Sequence, residues 1–139
     1  MKVSEKTNGP VPFSDKKEDK PMPFIDTKTN ISLSRKQKEL AKSALADCIA
    51  ALNPDWTKVL MVNFEDSCAL SFGGDSIKPC AVVCINLLDK AAASIPAAAM
   101  EKVLAAVTEV ISNTFVIEKE QIFAYYNYSP CWAHGGQVL

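Results

Sequence analysis

The chain has 139 residues, of which 48% are hydrophobic, and its formal net charge is −1 at pH 7. This length suits one domain with a real core. The near-neutral charge gives no electrostatic reason to expect binding to nucleic acid or to an anionic membrane. No apolar run approaches the roughly 20 residues of a membrane-spanning helix. The five cysteines, without a secretory signal, favour reduced thiols and a cytoplasmic location.

The first 21 residues are rich in lysine, acidic residues and proline, and only Val3, Val11 and Phe13 are suited to a core. This composition predicts a disordered polar arm over residues 1–21 and a folded domain over residues 22–139. The boundary falls at Met22 and Pro23. A proline that begins a mature chain is a secondary amine and can act as a base, whereas a proline within a chain is an amide and cannot.

In chain order, residues 24–29 predict a short strand. Ser34 followed by Gln37 predicts a capping box that begins a helix, and Pro54 ends it. The apolar positions of that helix recur with helical period: Leu40, Ala41, Ala44, Leu45, Cys48, Ile49 and Leu52.

The second half of the chain repeats this order. Residues 59–64 and 81–88 predict two nearly continuous apolar strands, with a glycine turn at Gly73-Gly74 between them. Pro96 begins a second helix, and residues 122–126 predict the last strand. One face of this helix is apolar at Met100, Val103, Leu104, Val107, Val110 and Ile111.

The element order β-α-β, turn, β-α-β predicts an α+β fold built from two repeats. Right-handed crossovers place both helices on one face of a four-stranded mixed sheet. The strands at 59–64 and 81–88 read as apolar on both faces, so the uncovered face needs a partner. Symmetric self-association supplies one, and we expect an oligomer.

Several segments resemble the family of macrophage migration inhibitory factor and D-dopachrome tautomerase. They are Met-Pro-Phe-Ile at 22–25, Ser-Phe-Gly-Gly-Asp-Ser at 71–76, Pro-Cys-Ala at 79–81 and Ile-Phe-Ala-Tyr-Tyr at 122–126. The likeness covers residues 22 to about 132. It implies a homotrimer with the bare sheet faces turned inward, and keto–enol tautomerisation of small aromatic substrates like phenylpyruvate or dopachrome. It also implies a cytokine-like role at a cell-surface receptor for members that are secreted without a signal peptide.

The resemblance makes Pro23 the catalytic base, provided that Pro23 is the N-terminus. Met22 offers a second start codon whose product would be trimmed to Pro23. An α-amino group has a pKa of about 7.7–8.0, and burial or nearby cations lower it further, which suits a base. If residues 1–22 remain attached, the same nitrogen is an amide. Outside the resemblance, Pro23 is a common strand-starting proline.

The family binds the substrate carboxylate with a lysine at the end of the first helix, where this chain has Asn53. Asn53 can hydrogen-bond but carries no charge. Lys58 is close in sequence and is the alternative cation, although it also fits an ordinary solvated lysine. Without this charged contact, an acid substrate loses about 1.5–3 kcal/mol of binding free energy.

The remaining pocket positions of the family align with Leu88 from the same subunit, and with Phe123 and Tyr125 from a neighbouring subunit. Together with Pro23 and Trp132 they predict an apolar, aromatic pocket for an aryl substrate. The alternative role for these aromatic residues is trimer core. No cofactor is predicted. No metal site is predicted either, because Cys131 and His134 are only two ligands and His134 reads as an exposed tail residue.

Two further readings stay open. The trimer can be a non-catalytic binding protein, because Pro23 is blocked in the full chain and the family's lysine and tyrosine are missing. The order β-α-β-β-α-β also describes ferredoxin-like ligand-sensing modules, and the strand order separates these from the tautomerase fold.

Overall fold

The computed structural model describes residues 23–139. The predicted arm over residues 1–21, and its boundary at Met22, lie outside the described residues. The described elements are β1 (Phe24–Thr29), α1 (Arg35–Ala50), a 3-10 helix (Pro54–Val59), β2 (Met61–Glu65), β3 (Ala81–Leu88), α2 (Asp89–Ala93), α3 (Ala97–Phe115), a second 3-10 helix (Lys119–Gln121), β4 (Ile122–Ser129), β5 (Ala133–His134) and β6 (Gln137–Val138).

The main sheet has the strand order β2-β1-β3-β4. Strands β1 and β2 are parallel, as are β3 and β4, and each parallel pair is joined through a helix. The two β-α-β units meet along the antiparallel pair of β1 and β3, whose register runs from Phe24 opposite Asn86 to Thr29 opposite Ala81. The predicted α+β fold, with two repeats and a four-stranded mixed sheet, is confirmed.

Helix α1 begins where the sequence predicts. The Ser34 hydroxyl accepts a hydrogen bond from the Gln37 backbone N–H at 3.1 Å, and the Gln37 side chain accepts one from the Ser34 N–H at 2.9 Å. This capping box satisfies two backbone donors that a helix start leaves open. The helix ends at Ala50, and Pro54 instead begins the 3-10 helix. Strand β2 therefore begins at Met61, two residues later than predicted.

Both long helices cover one face of the sheet. Helix α3 buries Met100, Val103, Val107, Ile111 and Phe115, which confirms the predicted apolar face. Alternate strand residues complete this core, and the Phe115 ring meets Phe64 edge-on at 5.6 Å. Leu40, predicted to join the stripe of α1, is 54% exposed. No helix among the described residues is both long and apolar enough to cross a membrane.

The other face of the sheet, here called the open face, is less apolar than expected. On β3 it presents Val82, Cys84 and Asn86, and on β2 it presents Met61, Asn63 and Glu65. Asn63 and Glu65 on β2 and Asn86 on β3 make this face partly polar, so the expectation that both strands are apolar on two faces holds only in part. Large apolar side chains still remain on it, with Met61 66% exposed and Phe123 62% exposed.

The C-terminal end of helix α3 is strained at one residue. Val116 has φ 58° and ψ 58°, in the left-handed region. Helices often end in this conformation, but usually with glycine or asparagine, because a side chain that branches at Cβ crowds the backbone. The Val116 side chain is 79% exposed, so it adds little to the core.

We expect Val116→Asn to stabilise the protein by about 1 kcal/mol, because asparagine adopts the left-handed conformation at lower cost. The measurement is the unfolding free energy in a denaturant titration. Val116→Thr keeps the branched Cβ and should leave stability unchanged. An equal gain in both variants would contradict strain as the cause.

Candidate functional site

A cavity of about 570 Å³ lies at the start of β1. This volume is within the range of small-molecule sites. Pro23 and Phe24 border it on one side, and Lys58, Val59 and Met61 come from the 3-10 helix and the start of β2. The C-terminal segment closes it with Trp132, Ala133, His134 and Gly135.

Pro23 is held at the head of β1. Its carbonyl accepts a hydrogen bond from the Met61 N–H at 3.1 Å. On the next residue, the Phe24 carbonyl accepts one from the side-chain amide of Asn86 at 3.1 Å. A proline suits the first position of a strand, because it has no N–H to give to the sheet. Pro23 itself is buried. The position of Pro23 at the cavity is thus fixed by both neighbouring strands.

Lys58 reaches the same cavity from the 3-10 helix. Its ammonium lies 3.6 Å from Asp55, and these two side chains are 78% and 74% exposed. An ion pair this exposed contributes little stability and is readily exchanged for another anion. Lys58 is therefore a cation that a bound carboxylate can recruit.

Asn53 does not border this cavity. Its side-chain oxygen accepts a hydrogen bond from the Asp55 N–H at 3.0 Å, and so caps the 3-10 helix that carries Lys58. Leu88 also lies apart from the cavity. It is 2% exposed and packs within the hydrophobic core.

Phe123 and Tyr125 lie on the open face of β4. Phe123 is opposite Val82 in the register, whereas Phe24, next to Pro23, is opposite Asn86. Four residues of strand separate these positions, or roughly 13 Å at about 3.3 Å per residue. Within one chain, Phe123 therefore does not reach the cavity, and its ring packs on Phe72 at 5.2 Å instead.

The centre of the open face is polar and ordered. Lys28 donates a hydrogen bond to Asp26 at 2.7 Å, and Asn63 donates one at 2.9 Å to the other oxygen of Asp26. Burial acts to raise the pKa of Asp26, but these two hydrogen bonds hold it below its usual value. The pKa of the Tyr125 phenol is raised, chiefly by its side-chain hydrogen bond with Cys84.

The C-terminal residues form a hairpin that was expected to be a tail. Ala133 pairs with Val138 and His134 with Gln137. The two-residue turn between them has φ 59° at Gly135 and 83° at Gly136, which is the turn that closes tight hairpins. His134 thereby borders the cavity. The signal for this hairpin in the sequence is the Gly135-Gly136 pair, which suits a two-residue turn.

The two-glycine turn at 73–74 is confirmed. Gly73 and Gly74 have φ 59° and 86°, and Phe72 and Asp75 exchange backbone hydrogen bonds at 3.0 Å across it. Among residues 23–139, no three His, Cys, Asp or Glu side chains are grouped so that they could hold a metal ion. All five cysteines are free.

Comparison with solved structures identifies this arrangement. A MIF2 protein from Leishmania major superposes with a TM-score of 0.75 at 21% identity, over 86% of this chain and 98% of its own. The chain has the fold of macrophage migration inhibitory factor. The predicted resemblance is confirmed at this level. The ferredoxin-like alternative is excluded, because the two strands of each β-α-β unit are direct neighbours in the sheet and are not split by another strand. The homologue from Toxoplasma gondii matches with a TM-score of 0.65 at 20% identity, over 84% of this chain and 99% of its own.

The same fold extends to a fused 4-OT protein that forms a symmetric trimer, with a TM-score of 0.66 at 12% identity, over 77% of this chain and 85% of its own. No family model matches the sequence, and no curated protein matches it. The identities to these structures are low, so the likeness is one of fold.

Proposed function

We propose that the chain, when it begins at Pro23, is a keto–enol tautomerase for aryl 2-oxo acids of the phenylpyruvate or dopachrome type. The observation that carries this proposal is that Pro23 and Lys58 border one cavity, together with the ring of Trp132. A rigid amine, a cation and an aromatic wall are what an aryl 2-oxo acid requires. The fold shared with macrophage migration inhibitory factor homologues supports the same chemistry.

Pro23 serves as the base. As a free secondary amine it removes the proton from the carbon next to the ketone, and the electron pair of that C–H bond forms the C=C bond of the enolate. The enolate oxygen then takes up a proton from water to give the enol. In the reverse direction the enol oxygen loses its proton to water and the protonated amine returns a proton to carbon. The ammonium of Lys58 borders the same cavity, and a nearby cation disfavours the protonated form of an amine. This favours the basic form that the reaction needs.

Lys58 holds the substrate carboxylate. Its ion pair with Asp55 is exposed, so exchanging that partner for the substrate costs little. In this proposal Asn53 acts indirectly, by capping the 3-10 helix that positions Lys58. Because Asn53 carries no charge, it forms no ion pair with the substrate carboxylate itself.

A homotrimer completes the pocket in this proposal. Phe123 and Tyr125 are 62% and 50% exposed on the open face, so they are free to approach a cavity of a neighbouring subunit. The symmetric trimer formed by the fused 4-OT protein supports this assembly. Leu88 does not line the cavity and belongs to the hydrophobic core.

The first test is turnover of phenylpyruvate enol by protein that begins at Pro23. We expect Pro23→Gly to lower kcat by about a hundredfold, the low end for a general base. Lys58→Met should raise KM at least about tenfold through loss of a charge-assisted contact. Lys42→Met is the matched control, because Lys42 pairs with Glu39 on α1, away from the cavity. Equal activity of the parent and Pro23→Gly proteins would refute the catalytic role.

A second function is favoured by the covalent state of Pro23 in the full chain, where its nitrogen is bonded to Met22. That nitrogen is an amide and accepts no proton. In this form the protein is a non-catalytic binding protein of the same fold, with a cell-surface receptor as the partner that the resemblance implies.

The two functions separate in one comparison. Full-length protein should show no phenylpyruvate tautomerisation above the Pro23→Gly level, whereas protein beginning at Pro23 should be active. Intact mass of the native protein then identifies which form is made. Activity in a full-length chain whose mass confirms Met1 at its start would contradict the role of Pro23 as base.

The proposed assembly is tested by sedimentation. We expect a species of about 45 kDa, three times the 15.1 kDa of the chain, at micromolar concentration. Phe123→Asp, which places a charge on the open face, should shift the distribution toward monomer. Sedimentation of the parent as a 15.1 kDa species would rule out the trimer.

A further inference from the structure

His134 is the one histidine of the chain, and it borders the cavity that contains Pro23 and Lys58. It lies in β5 directly before the Gly135–Gly136 turn, and its side chain is exposed to solvent. The proposed reaction assigns it no role. An accessible imidazole at the wall of a ligand-sized cavity is available to contact whatever binds there.

The hairpin holds this residue in place. Trp132 and Leu139, at the two ends of the hairpin, pack against the hydrophobic core. The Leu139 N–H donates a hydrogen bond to the Trp132 carbonyl at 2.8 Å, which joins those ends. Trp132 and His134 are two residues apart in an extended segment and so share a face, and both border the cavity.

The two nitrogen-bearing side chains of the cavity come from separate elements, Lys58 from the 3-10 helix and His134 from the hairpin. No carboxylate is among the described residues that line the cavity. An acid bound through Lys58 leaves the imidazole free for a second polar group. Even a neutral imidazole offers one donor and one acceptor, so it can donate a hydrogen bond to a substrate hydroxyl or accept one from it.

We propose that His134 is a specificity-determining residue that favours aryl 2-oxo acids carrying a hydrogen-bonding substituent on the ring. The inference rests on the proposed function, since it assumes that the carboxylate is at Lys58 and the reacting carbon is at Pro23. The ring then lies toward the hairpin wall, between Trp132 and His134. A site built to pair with a substrate hydroxyl discriminates against the analogue that lacks it.

The test compares phenylpyruvate with 4-hydroxyphenylpyruvate, using protein that begins at Pro23. We expect His134→Ala to raise KM for the hydroxylated substrate about tenfold, which is the loss of one hydrogen bond. KM for phenylpyruvate should change by less than about twofold, and kcat should be unchanged for both, since the contact is the same in the ground and transition states. His134→Gln keeps a donor and an acceptor and should restore most of the preference.

Gln137→Ala is the matched control. Gln137 pairs with His134 across the hairpin but does not line the cavity, so damage to the hairpin itself would appear in this variant too. Equal changes for the two substrates in His134→Ala, or no change for either, would overturn the proposal. So would the same loss of preference in Gln137→Ala.

Calorimetric binding to the Pro23→Gly protein separates this proposal from the proposed reaction. Suppose that the parent protein has no turnover, but that adding His134→Ala to the Pro23→Gly protein weakens binding of 4-hydroxyphenylpyruvate and not of phenylpyruvate. The tautomerase then fails and the role of His134 stands. If the parent turns over and His134→Ala leaves both affinities intact, the role of His134 fails and the tautomerase stands. If the parent has no turnover and neither substrate binds, both fail.

Discussion

The antiparallel pairing of β1 with β3 is the constraint on which the rest of the structure depends. It joins the two β-α-β units, which also contact each other where α1 packs against α3 and where Phe115 meets Phe64. The pairing also sets where β1 begins, because Phe24 lies opposite Asn86 and accepts its side-chain hydrogen bond. Asn127 in turn donates to Asn86 at 3.0 Å. This chain of amides spans three strands next to Pro23 and fixes the end of β1 at the cavity.

The fold could be predicted from the sequence because its signals are local. Periodicity marks the helices, the capping box begins α1, and Gly73-Gly74 makes the turn. The site could be predicted only in part. Pro23 and Lys58 are near in sequence to elements that the pattern located, and they do border one cavity. His134 was missed, because its position depends on a hairpin whose strands have only two residues each and no apolar alternation.

The other predicted site residues show a different limit. Asn53 and Lys58 both occupy the place where the family has one lysine, and the structure gives them separate tasks. A 3-10 helix follows α1 because Pro54 cannot donate to it and suits its first position. Asn53 caps that helix and Lys58 emerges from its far end. A sequence alignment compares residues only by position. It therefore misses that Asn53 caps the 3-10 helix while Lys58 supplies the cation at the cavity.

Pro23 is held through its carbonyl and through the residue that follows it. Met61 donates to the Pro23 carbonyl, Asn86 donates to the Phe24 carbonyl, and Pro23 borders the cavity. Within the chain Pro23 has no N–H to give to the sheet, so β1 loses no hydrogen bond when that nitrogen becomes a free amine. The chemical character of the site is therefore set by one covalent bond, between residues 22 and 23. With that bond in place the nitrogen is an amide, and without it the same strand start carries a secondary amine at the cavity.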